Sequence, residues 1–171
     1  MQAMTYRWYI VIFFVEGVAN HVGLSIPGRG LADLSLRGAR IIPWDAHSVP
    51  KGERVYFQLE LPMPDQALHF LAQPGLLSGA ILRQEKLQRG WHLSREAPVF
   101  VRTLRESRSR DVDDMNCVEW IVYSLELGGL VLPNDIMTPA ELFSWSLSYL
   151  RDPLPILDFI NTARADGQQK P

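Results

Sequence analysis

A chain of 171 residues is the length of one ordinary domain, and a net charge of −2 gives no global field that would favour nucleic acid or anionic lipid. Hydrophobic residues at 47% and charged residues at 21% exclude disordered and fibrous classes. The single cysteine, Cys117, excludes an internal disulfide framework and a multi-cysteine zinc site.

The first apolar run, WYIVIFFV at residues 8–15, is too short to span a bilayer, which takes roughly 20 apolar residues. Only Arg7 precedes it closely, and no small-residue cleavage pattern follows. β-branched and aromatic residues dominate, so it reads as a strand buried on both faces. The expectation is a cytoplasmic protein with no cleaved leader and no membrane association. HVGLSI and LADLSL flank PGRG, a hairpin signal because glycine supplies the positive φ of such turns. A second turn near RG leads to ARIIPW, and ERVYFQLELP alternates as a further strand.

Helices follow. PDQALHFLAQ starts with Pro64 and Asp65, suited to a first helical turn. GLLSGAILRQEKLQRG is ambiguous, APVFVRTL reads as a short strand, and RESRSRDVDD reads as a solvated charged loop. In NCVEWIVYSLELGG, Val118, Ile121, Val122 and Leu125 recur at helical spacing, with Asn116 as N-cap and Gly128 and Gly129 as the stop. Thr138, Pro139 and Glu141 make a capping-box start for the next helix. A last helix, PILDFINTAR, precedes a flexible tail. The division is one α+β domain over residues 1–164 and a tail over 165–171, without internal repeats.

A cysteine in the first turn of a helix faces unpaired N–H groups and the positive end of the helix dipole, which favour a thiolate. The same N–H groups, around Asn116 and Val118, can bind the oxyanion formed when a nucleophile attacks an acyl carbon. The alternative is a small buried hydrophobe, since free cysteine is among the most buried residues. A nucleophile needs a base. Of the four histidines, His69 lies in the apolar phase of ALHFLA and reads as a packed helix residue, while His47 and His92 sit in loop contexts. His21 leads the strand HVGLSI, where it can face a cleft or simply end a strand. Asp33, the acidic residue of LADLSL, returns beside His21 if PGRG closes a hairpin; otherwise it is an exposed strand carboxylate.

The order of these pieces resembles the circularly permuted branch of the NlpC-type papain-like superfamily, which includes the YiiX-like hydrolases and the lecithin–retinol acyltransferase group. HVGLSIPGRGLADLSLRGARIIPW is similar to that branch's histidine strand, turn and polar-third-residue strand. NCVEWIVYSLELGG is similar to its nucleophile helix, and LPNDIMTPAELFSW to the segment after it. The likeness covers most of residues 18–145. It implies a permuted papain-like fold, an antiparallel sheet packed against the cysteine helix and further helices. Cys117 would be the nucleophile, His21 the base and Asp33 the residue that orients it. The implied activity is thiol hydrolysis or acyl transfer on an amide or ester through a thioester, with no cofactor and no metal. The substrate would be a small-molecule, peptide or lipid acyl compound, with an amide preferred. Asn20 beside the histidine, Trp120 after the cysteine and Trp91 are candidates for lining its pocket. An idle papain-like module that binds a partner protein is the alternative.

Overall fold

A computed structural model describes residues 5–35, 38–43, 53–61, 65–72, 108, 115–150 and 152–153. Five strands, β1 (Tyr6–Val15), β2 (Val18–Ile26), β3 (Gly30–Ser35), β4 (Gly38–Ile42) and β5 (Glu53–Leu61), form one sheet in the order β4-β3-β2-β1-β5. Every adjacent pair is antiparallel. Among the described residues three helices accompany it: α1 (Asp65–Ala72), α2 (Cys117–Leu127) and α3 (Pro139–Tyr149). The class is α+β. No described helix is long and apolar enough to cross a membrane. The expected elements at GLLSGAILRQEKLQRG, APVFVRTL and PILDFINTAR, the tail over 165–171, and His47, Trp91 and His92 lie outside the described residues.

β1 is an interior strand buried on both faces, as its unbroken apolar run requires. Trp8 through Phe13 are each at most 4% exposed. Trp8, Ile10 and Ile12 join Val22, Leu24, Ile26, Leu34 and Phe57 in the main core with apolar residues of all three helices. Tyr9, Val11 and Phe13 belong to a second cluster with Leu31 and Tyr56. Alternation along the strands thus separates two apolar faces.

The β1–β2 hairpin turns on Glu16 and Gly17, both at positive φ (51° and 77°), as a two-residue turn of type I′ needs. The register then slips by one. Phe14 faces Ala19 and Phe13 faces His21, leaving Asn20 as an extra residue. The slip has a visible consequence. Ala19 and Val22 lie in the same core cluster although they are three positions apart, an odd spacing that an unbroken strand puts on opposite faces. At the other end of β2, Gly28 (φ 68°) and Gly30 (φ 128°) turn the chain into β3, as PGRG suggests. A Cβ on Gly30 would collide with the Ile42 carbonyl oxygen, so this position admits no side chain.

α2 buries eight of its eleven residues, including Glu119 and Ser124, so it is an interior helix rather than an amphipathic surface one. It packs on α1, β2 and β3. Thr138 and Glu141 form the complete capping box expected at the start of α3. Two expectations are corrected. His69 is exposed rather than packed, because α1 turns Ala67, Leu68, Phe70 and Leu71 inward instead. Arg108, in the segment expected to be solvated, has a side chain only 4% exposed. It bonds to Glu126 and to the carbonyls of Leu132 and Pro133, and its own N–H donates to Asn134. Arg108 is thus docked on the end of α2 and the chain leading to α3.

Candidate active site

The strand half of the site follows from register. Gly30 pairs with Ile26, which sets Asp33 opposite Gly23. Asp33 therefore lies diagonal to His21, two residues back along β2, on the same face. A Cβ on Gly23 would meet the Leu31 side chain and the Ala32 carbonyl oxygen, so the strands are closely packed at this pair. The His21 Nε2 to Asp33 Oδ2 distance is 3.0 Å. The β2–β3 ladder ends at Gly23–Asp33 while β3 continues paired to β4, so His21 stands where the two strands part. The Asn20 bulge lies immediately before it, a position where bulges re-aim side chains. The Phe13 ring packs on the imidazole with centroids 5.6 Å apart.

Asp33 is fully buried and has a second partner that sequence reasoning missed. Arg40, directly opposite it on β4, donates from Nε to Oδ1 at 2.7 Å and from Nη2 to Oδ2 at 3.2 Å. Ser35 pairs with Gly38, so the strands turn one residue earlier than RG suggests. Counting outward from that earlier turn would have matched Asp33 with Arg40.

The helix half follows from capping. Asn116 is the N-cap of α2: its Oδ1 accepts from the Glu119 N–H at 2.9 Å, and its Nδ2 donates to the Met137 carbonyl at 3.0 Å. Both ends of its amide are thus engaged, which gives it a positioning role rather than that of a free donor for an oxyanion. The backbone N–H groups of Cys117 and Val118 remain without acceptors inside the helix, as at any helix start. The Val118 side chain is buried in the core, so only its backbone can serve. Cys117 opens the helix, is 7% exposed and counts with the main core.

The two halves meet at the imidazole. With Nε2 on Asp33, the other ring nitrogen, Nδ1, is buried and has no standard hydrogen-bond partner among the described residues. The Cys117 thiol is nonetheless close enough to act on the ring by weak hydrogen bonding and by charge. The two groups are neighbours, with no hydrogen bond of ordinary geometry between them. Burial is the largest single influence on His21 and opposes its charged form. The bonds to Asp33 and Cys117, with their charges, together outweigh it and raise the pKa from 6.5 to about 9. Burial likewise opposes the Asp33 carboxylate, but the bonds from His21 and Arg40 hold it below the usual range. The bond to Asp33 raises Arg40 further, against a smaller opposing effect of burial.

Of the pocket candidates, Asn20 is partly exposed beside His21 in the bulge. Trp120 is 1% exposed and lies against Phe70, with ring centroids 6.2 Å apart, which makes it a packing residue of the α1–α2 contact. Among the described residues no group of three or more histidine, cysteine, aspartate or glutamate side chains converges to hold a metal ion. No family model matches the chain, and no curated protein or solved structure matches it either. Function has to follow from the chemistry of these side chains.

Proposed function

We propose that the protein is a cysteine-dependent hydrolase or acyltransferase of a permuted papain-like kind, with Cys117 as nucleophile, His21 as base and acid, and Asp33 positioning His21. One observation carries this reading. The sole cysteine opens a helix beside an imidazole whose other nitrogen is held by a buried carboxylate. A cysteine, a histidine and an orienting acid arranged in that order are the parts of nucleophilic acyl transfer.

The imidazolium of His21 pairs with a Cys117 thiolate, which attacks the carbonyl carbon of an amide or ester. A carbon–sulfur bond forms and the carbonyl π electrons move to oxygen, which the N–H groups at the start of α2 receive. Collapse expels the amine or alcohol, and His21 gives it a proton. Water or another nucleophile, losing its proton to His21, then cleaves the thioester and restores the thiolate. A small-molecule or peptide amide is the preferred substrate class.

Cys117 also counts with the apolar core, and this favours a second reading: an idle module with an inert thiol that binds a partner protein. Iodoacetamide separates the two. The catalytic reading expects alkylation of Cys117 near pH 6 to run far faster than that of a free thiol such as glutathione, and to vanish in Cys117→Ser with the fold retained. A rate at or below glutathione's would overturn it in favour of the idle module.

A further inference from the structure

We propose that Arg40 is a positioning residue of this site, whose guanidinium fork fixes the Asp33 carboxylate so that Oδ2 faces His21 Nε2. The proposal rests on the catalytic reading for its purpose, but its geometry stands independently. A buried carboxylate needs several donors to remain ionised and in one rotamer. His21 supplies one donor and engages Oδ2 only. Arg40 alone among the described side chains bonds Oδ1; without it the carboxylate is free to turn about its χ2 axis.

Arg40 removes that freedom. Nε takes Oδ1 and Nη2 takes Oδ2, so the carboxylate plane is set by two bonds from one rigid group. Oδ2 is then shared by Nη2 at 3.2 Å and His21 Nε2 at 3.0 Å. Direct cross-strand pairing of Asp33 with Arg40 places the guanidinium without long-range contacts, and its side chain is 33% exposed. Removing Arg40 leaves the buried Asp33 carboxylate with His21 as its remaining side-chain partner among the described residues, so Arg40→Lys, which keeps a cation beside it, accompanies Arg40→Gln.

Two opposed effects of Arg40 can be told apart. As a positive charge near His21 it disfavours the imidazolium; as a fork it orients the acceptor that stabilises the imidazolium. The proposal holds that orientation dominates. Lysine keeps the charge but loses the fork, and glutamine loses both.

The test uses the full chain with Arg40→Gln and Arg40→Lys. Two readouts are taken: the rate of iodoacetamide alkylation of Cys117 at pH 6, and the downfield proton resonance of the His21 ring N–H bonded to Asp33. The expected result is about a tenfold slower alkylation in Arg40→Gln, the scale of losing a partner that orients a site residue, with Arg40→Lys in between. The downfield resonance should weaken in the same order while thermal melts stay cooperative. Alkylation that is unchanged or faster in both variants, with the resonance intact, would overturn the role of Arg40 and leave the catalytic reading standing. If the parent protein itself alkylates no faster than glutathione, the catalytic reading fails, and the resonance alone decides: its loss in Arg40→Gln upholds the positioning role, its persistence rejects it. Should Arg40→Gln fail to fold, the resonance in Arg40→Lys decides in the same way.

Discussion

The two halves of the site are built by different physics. The strand half, His21, Asp33 and Arg40, is three polar side chains on neighbouring strands, aligned by hairpin register and joined by charge-assisted bonds. The helix half, Asn116 and Cys117, is set by a local cap and by apolar burial of α2 on nearly every side. Register is all-or-none, because a slip of one residue turns every side chain to the other face. Capping and packing are incremental, each contact adding a modest amount. The strand half should therefore break in large steps and the helix half in small ones.

Gly30→Ala should be the largest step. Its φ of 128° and the clash of a new Cβ with the Ile42 carbonyl oxygen force the β2–β3 turn to move. A stability loss above roughly 4 kcal/mol is expected by urea denaturation, the range of backbone clash combined with strain. A loss under about 1 kcal/mol would show that the turn tolerates slippage and that register is not what aligns Asp33 with His21.

The pH dependence of stability tests the same half without a mutation. The His21 pKa is raised, from 6.5 to about 9, so its contribution is fully present below 6.5 and is lost as pH rises through about 9. That interval corresponds to about 3 kcal/mol at most. The Asp33 pKa is lowered from 3.8, so its contribution is present above 3.8 and is lost as pH falls through the depressed folded value. Urea midpoints should peak between these limits, and Asp33→Asn should shrink the loss on the alkaline side. An unchanged alkaline limb in that variant would mean Asp33 does not hold the imidazolium.

His21→Gln sharpens the link between the halves. It retains a polar side chain of similar length but cannot take a proton, and alkylation of Cys117 at pH 6 should fall about 100-fold. A fall below threefold would leave the thiol governed by the helix alone.

The helix half should give smaller numbers. Asn116→Ala removes the cap bond to Glu119 and the bond to the Met137 carbonyl, and about 1–2 kcal/mol is expected from denaturant midpoints. Thr138→Ala removes one arm of the capping box on α3 and should cost about 1 kcal/mol without changing alkylation of Cys117. A Thr138→Ala effect larger than that of Gly30→Ala would invert the comparison.

Much of the helix half was legible in the chain because capping is local. Asn116 before Cys117, and Thr138 with Pro139 and Glu141, are read within a few residues and need no knowledge of the rest of the fold. The PGRG turn and the buried first strand were legible for the same reason: glycine content and an unbroken apolar run are short-range signals. His69 misled because one apolar phase in a short helix does not say which side meets the core. Arg108 misled because a charged run looks solvated until the acceptors at Glu126, Leu132 and Pro133, distant in sequence, are brought to it.

By itself the sequence determined the strands around PGRG and the capped starts of α2 and α3. It named His21 and Asp33 as neighbours but not how they meet. The one-residue slip at Asn20, the diagonal approach past Gly23, the Arg40 fork and the arrival of Cys117 at the imidazole were decided only in three dimensions. The physical reason is that register and helix docking are set by packing summed over the whole sheet, and no short window of residues contains that sum.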